Sequence, residues 1–147
     1  MVTTQVADSQ ADADLAQLQA LVDSSPLHRM FELSITSASR SEQRVSMRMP
    51  FTTAASRDDS SKQFHGGAIA SLIGIAGDFA LIAVLGHGVP TINFRVDFLR
   101  AAKSPWLTAT AQVQRAGKSV GIVDISVADA EDNVVALGRG CYSTRAG

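Results

Sequence analysis

The sequence predicts an α+β fold in which an antiparallel β-sheet wraps a long central α-helix, with a short N-terminal helix ahead of it. Three observations carry that reading. Hydrophobic periodicity runs in the order helix, two strands, long helix, four strands. The long helix is apolar nearly all round, so it has to be covered on most sides. The 147 residues are 46% hydrophobic and 18% charged, which suits one core built without disulfide or metal staples.

From the N-terminus, Leu15, Leu18, Leu21 and Val22 fall on one stripe of an amphipathic helix over residues 11–23. Ser24, Ser25 and Pro26 end it, because proline disfavours helical geometry in the residue before it. Phe31, Leu33 and Ile35 then alternate with polar residues, as do Val45, Met47 and Met49. The polar run Ser39 to Glu42 between them reads as a hairpin turn. Pro50 to Gln63, with Arg57, Asp58 and Asp59, reads as a loop. Beyond the long helix, Ile92, Phe94, Val96 and Phe98 share one strand face, and Leu107, Ala109, Ala111 and Val113 share another. Val123, Ile125 and Val127 mark the third strand, and Val134 to Ser143 the fourth. Residues 1–24 are expected to form an N-terminal segment and residues 25–147 a single domain.

The long helix, from Gly66 to Gly86, is the informative element. Ile69, Leu72, Ile73, Ala76, Phe79, Ala80 and Ala83 cover one broad side, and Gly67, Ala70, Ser71, Gly74, Gly77 and Asp78 the other. An interior glycine costs about 1 kcal/mol relative to alanine, so two on one stripe imply that something approaches closely. Either another helix, such as that of a dimer mate, or a ligand channel satisfies this. Leu81 and Phe79 are the residues expected to set the depth of such a pocket. Asp78 is the sole ionisable group between His65 and His87. Buried without a partner it is costly and its pKa rises.

Composition excludes several classes. Thirteen basic against fourteen acidic side chains leave no cationic footprint for nucleic acid. The single cysteine, Cys141, rules out a disulfide scaffold and reads as a small core residue. Residues 1–23 contain Asp8, Asp12, Asp14 and Asp23 and no Lys or Arg, unlike a secretory or mitochondrial leader. Residues 68–85 are long and apolar enough to cross a bilayer, but the central Asp78 and the flanking strands favour burial in a sheet. A cytoplasmic protein that does not enter the membrane is expected. His28 and His87 lack metal-ligand spacing, and no metal is expected.

At His65-Gly66-Gly67-Ala68-Ile69-Ala70-Ser71-Leu72 the chain resembles the hot-dog-fold acyl-CoA thioesterases of the PaaI type. Thr91 to Arg100, Gln114 to Ser119 and Asp132 to Ala136 resemble later segments of that family in the same order, so the likeness covers about residues 25–144. The motif is also reasonable chemistry. Gly66 and Gly67 stand at a helix start, where N–H groups lack intrahelical acceptors and no Cβ obstructs a carbonyl. The resemblance implies that Gly66 N–H forms the oxyanion hole for a thioester. It also implies an acyl-CoA substrate with no separate cofactor, and a homodimer or homotetramer in which the helix of one protomer meets its mate.

One departure matters most. The family carries its catalytic carboxylate nine residues after the histidine, and that position is Gly74 here. Asp78, one turn further on the same stripe, is either a structurally satisfied carboxylate or the group that activates water instead. Thr91 stands where the family places a hydroxyl that helps hold the water, and His65 orients the loop or the ligand. Asp59 stands where the family has asparagine, and Lys62 replaces a glycine ahead of the motif. Phe64 and Gly67 join Asp59 as expected substrate-binding residues. Arg100, Arg115, Gly117, Lys118 and Ser119 are expected at the CoA end, where cations grip phosphates. The expected function is acyl-CoA hydrolysis, impaired by Gly74; the alternative is a non-hydrolytic acyl-CoA-binding protein of the same fold. A dehydratase would need a helix glutamate or an Asp–His dyad that this sequence does not offer.

Overall fold

The computed structural model describes residues 14–146. Helix α1 occupies residues 14–23; residues 11–13 of the expected helix, and residues 1–13 of the stretch read as unlike a leader, lie outside the described residues. Leu18 and Val22 of α1 are buried in the main core. The Gln19 side chain ties the helix down, donating to Leu33 O at 3.2 Å and accepting from Ile35 N–H at 2.7 Å. Pro26 does end α1, and it also opens a second helix, α2 (Pro26–Met30). The fixed φ and missing N–H of proline suit a first helical turn. Phe31 and Leu33 therefore lie in a turn, with Glu32 at φ 52°, and not in a strand as their alternation suggests. Both are still buried.

The hairpin follows as β1 (Ser34–Ser39) and β2 (Arg44–Pro50), and then the loop, which contains one 3₁₀ turn (Thr53–Ala55). Helix α3 spans Gly66–Leu85 and stops at Gly86, whose φ of 80° is the left-handed cap that glycine accommodates. Strands β3 (Thr91–Phe98), β4 (Trp106–Ala116), β5 (Val120–Ala128) and β6 (Val134–Ser143) complete a six-stranded antiparallel sheet in the order β1-β2-β4-β5-β6-β3. This is the hot-dog architecture expected from the sequence.

Alternation along the inner strands sends Val45, Met47 and Met49, then Leu107, Ala109 and Ala111, then Val123, Ile125 and Val127 onto α3. From the helix, Leu72, Ile73, Ala76, Phe79 and Leu81 meet them. Each such large side chain contributes roughly 1.5–3 kcal/mol by leaving water. The helix with membrane-like hydropathy is thus the core helix of the sheet. Phe79 and Leu81 belong to this core and not to an open pocket: the Phe79 ring meets His28 of α2 at 5.9 Å between centroids, and Leu81, on the opposite side of α3, packs against Gly121 of β5.

Two expectations are corrected at the sheet edge. The apolar row of β3 is exposed: Ile92 is 55%, Phe94 41% and Phe98 55% accessible, and Leu99 beyond it 53%. Among the described residues, strand β3 has β6 on one side and no neighbour on the other. Cys141 is half-buried on the outer face, not a core residue, because strand alternation turns its neighbour Tyr142 inward.

Candidate functional site

The glycine pair and the histidine build the start of α3 together. His65 is its N-cap in extended geometry, and its Nδ1 accepts the Gly67 N–H at 2.7 Å. For Nδ1 to accept, the ring is the neutral tautomer with its proton on Nε2. A Cβ on Gly67 would lie 3.0 Å from that Nδ1, so glycine is what lets the ring fold back. His65 O takes the N–H groups of Ala68 and Ile69 at 3.0 and 3.2 Å. The Gly66 N–H has no acceptor among the described residues. One free donor stands at the positive end of a 20-residue helix.

Above it lies a cavity of about 310 Å³ lined by Phe64, Gly66, Ile69, Phe98 and Arg100. The Phe98 ring is 3.4 Å from where a Gly66 Cβ would be, so the approach to the free N–H is bounded by an aromatic wall. Phe64 is buried edge-on to Phe51 at 5.2 Å between ring centroids and forms the floor. Arg100 is exposed at the rim. Asp59 is exposed in the preceding loop, where Asp58 organises the chain instead. Asp58 Oδ1 accepts the Ser60 and Ser61 N–H groups at 3.0 and 2.6 Å. These bonds hold its pKa down at about 2.

A second group gathers at the middle of α3. Gly74 faces Phe94, whose ring lies 3.4 Å from where a Cβ would be. The Gly74 carbonyl accepts the Tyr142 hydroxyl at 2.9 Å. A Cβ on Gly77 would collide with that same hydroxyl. The close approaches that the two helix glycines permit thus come from two aromatic rings of the same chain, on β3 and β6. Thr91, exposed at the start of β3, is the strand partner of Tyr142.

Asp78 is the electrostatic anomaly of the chain. Its Oδ1 is buried without a hydrogen-bond partner among the described residues. Burial pushes its pKa up to about 6, opposed by the backbone N–H of Val89. Tyr142 feels the same surroundings: burial, then the Asp78 charge, drive its pKa upward. A half-buried carboxylate whose pKa burial has raised to about 6 is a stronger base than an exposed one and can take a proton from a water brought to it.

The third group is the turn from β4 to β5. Gly117 N–H bonds Val120 O at 3.0 Å, and a Cβ at this position would lie 2.8 Å from that oxygen. The Arg115 guanidinium lies against Gly117, Lys118 is exposed at the tip, and Ser119 accepts Arg145 Nε at 3.0 Å.

The expected residues therefore fall into three places, not one. Gly66 and Asp78 are twelve residues apart on one helix, which separates them by about 18 Å. Sequence reasoning passed over Tyr142, Phe94, Phe98 and Arg145. Tyr142 is the single tyrosine of the chain, and the glycines at 77 and 140, against which it packs, were the available signal for a large buried ring.

A family model described as the thioesterase superfamily matches residues 63–136. A provisionally named esterase of Halobacterium salinarum is 36% identical over 143 residues, covering 90% of this chain and 93% of that protein. The acyl-coenzyme A thioesterase PaaI of Escherichia coli is 38% identical over 77 residues, 52% of this chain and 54% of its own length. The solved structure of E. coli PaaI, from the phenylacetic acid degradation operon, covers 93% of this chain and 96% of its own at TM-score 0.78 and 27% identity. A further solved protein from the thioesterase superfamily covers 90% of this chain and 99% of its own at TM-score 0.84 and 32% identity.

Proposed function

Because the chain belongs to the thioesterase superfamily and is by family a thioester hydrolase, we propose that its substrate is an acyl-CoA, cleaved by water to a free acid and CoA. The observation that carries this reading is the free Gly66 N–H at the start of α3, reached past an aromatic wall. A thioester carbonyl placed there gains a donor aimed at the oxygen that becomes negative during attack. Water adds to the carbonyl carbon and its proton passes to the Asp78 carboxylate. The carbon–sulfur bond then breaks, and the leaving thiolate takes up a proton to give free CoA. Water and the protein's own groups suffice for every step.

The spacing of the two groups makes the site a shared one in this proposal. The donor must reach the carbonyl oxygen and the base the water that attacks the same carbonyl carbon, and about 18 Å along one helix forbids that within a protomer. The open edge of β3, with its exposed Ile92, Phe94 and Phe98, is the surface a second copy would cover. Pairing there brings Gly66 of one protomer to Asp78 and Thr91 of the other. A homodimer, or a dimer of such dimers, is the working form, and the cytoplasm is its expected compartment.

Gly74 favours a second reading, in which acyl-CoA is bound and not cleaved. Free-thiol titration over a panel of acyl-CoAs decides the matter. Thiol release supports hydrolysis. Acyl-CoA that raises the melting temperature without releasing thiol overturns hydrolysis by this sequence and leaves a binding protein.

A further inference from the structure

We infer that Tyr142 is a positioning residue: its buried hydroxyl clamps the turn of α3 that carries Asp78 and so sets where that carboxylate stands relative to Thr91. The inference rests on the hydrolase reading and deepens it, because it says how the base proposed there is held in place.

Tyr142 is fully buried, and a tyrosine is tolerated so deep only where its hydroxyl finds a partner. That partner is a helix carbonyl, Gly74 O at 2.9 Å. In an α-helix the carbonyl of residue 74 is the one that takes the N–H of residue 78. One oxygen therefore receives two donors, the N–H of Asp78 itself and the hydroxyl of a strand 68 residues away, one for each lone pair.

The sequence makes room for the ring. A Cβ on Gly77 would collide with the hydroxyl, and one on Gly140 with the hydroxyl and the ring edge. Interior glycines loosen a helix, and Gly74 and Gly77 both lie in the turn that leads into Asp78. The bond from Tyr142 restores the rigidity that they remove.

Further contacts close a circuit around the carboxylate. The Val89 N–H, from the loop between α3 and β3, stabilises the Asp78 charge. Next along that loop, Pro90 O accepts the Ser143 N–H at 2.8 Å, and Thr91 pairs with Tyr142 across the β3–β6 ladder. The Tyr142 hydroxyl is the hydrogen bond that returns this circuit from β6 to the helix. It lies close enough to Asp78 for the carboxylate charge to oppose ionisation of the phenol, so it remains a neutral donor. A base works only within hydrogen-bond reach of the proton it takes, and a misplacement of about 1 Å costs on the order of a hundredfold in rate. Tyr142 itself is sealed from water and thioester, and acts through Asp78.

The test separates the clamp from the chemistry. Amide hydrogen exchange is followed on the full chain for the wild type and Tyr142→Phe. Thiol release from one acyl-CoA is measured for both, for Asp78→Asn and for the double variant. Without the hydroxyl, exchange at the Asp78 amide should quicken about fivefold more than at the β4 and β5 amides, which report global unfolding. The kcat of Tyr142→Phe should fall about tenfold at unchanged KM. In the Asp78→Asn background the same substitution should change the residual rate by less than about twofold, because a residue that acts through Asp78 has nothing left to act on. Exchange at Asp78 that quickens no more than in β4 and β5 overturns the inference. A tenfold loss that persists in the Asp78→Asn background does so too, since loss of folded structure alone gives that result. Selective exchange at Asp78 with no thiol release by any of these proteins sustains the clamp and removes the hydrolase reading. Thiol release that needs Asp78 and is indifferent to Tyr142→Phe does the reverse.

Discussion

Replacing Asp78 by asparagine should stabilise the protein while disabling it, and the gain should depend on pH. The ordinary carboxylate value of 3.8 becomes about 6 in the folded chain because burial disfavours the charge. The folded state therefore keeps a proton that the unfolded state has lost between pH 4 and 6, and stability falls as pH rises through that window. Below pH 4 both states are protonated and the penalty is absent; above pH 6 it is present in full. The difference between 3.8 and about 6, at about 1.4 kcal/mol per pH unit, gives an upper bound of about 3 kcal/mol. Residual solvent contact of the half-buried group reduces this to about 2 kcal/mol.

Asparagine keeps the shape and never ionises. Urea unfolding of Asp78→Asn against the wild type should show a gain of about 2 kcal/mol at pH 8 that shrinks towards zero near pH 4. In parallel, wild-type thiol release should rise with pH through about 6, and the variant should lose most of it, by a factor of order 10² or more. A variant that is less stable than wild type at pH 8 would refute the burial argument. Unchanged turnover in Asp78→Asn would remove the residue from the mechanism.

Gly74→Asp places a carboxylate where a Cβ meets the Phe94 ring at 3.4 Å, an ordinary contact. Thiol release should rise by roughly 10²-fold or more, and no increase would mean that a second base adds nothing. Gly77→Ala drives its Cβ into the Tyr142 hydroxyl and should cost about 1–3 kcal/mol by thermal or denaturant unfolding. Tyr142→Phe loses the bond to Gly74 O for about 1 kcal/mol, and in that background Gly77→Ala should cost less than it does alone. Phe94→Glu on the open β3 edge should shift the protein to monomer by light scattering and abolish turnover with it. A dimer of wild-type affinity in that variant would place the interface elsewhere.

The strands and the core helix were legible because period-2 and period-3.6 patterns report burial directly, and the sheet supplied the burial those patterns asked for. Two kinds of feature were not. Pro26 carries both a stop and a start signal, and only the fold decides that α2 follows at once, which displaces Phe31 and Leu33 from the strand they resemble. The alternation of β3 is also real, but periodicity records which side chains share a face and not whether that face is covered. At the site, His65, Gly66 and Gly67 announced themselves because capping is local in sequence. Tyr142 and Arg145 did not, since each meets its partner across a long stretch of chain, 68 residues to Gly74 O and 26 to Ser119 Oγ.

That 68-residue span also sets a clock. At a synthesis rate of roughly 5–20 residues per second, Gly74 leaves the peptidyl-transferase centre some 3–14 s before Tyr142 is made. Strand β3 waits as well, because β6 is its neighbour in the sheet among the described residues. Early in that interval the nascent chain holds an apolar helix and an apolar strand before β4, β5 and β6 have been translated to cover them. A ribosome stalled between β3 and β4 would therefore hold the chain at its most aggregation-prone point, with an apolar helix and an unpaired apolar strand exposed together.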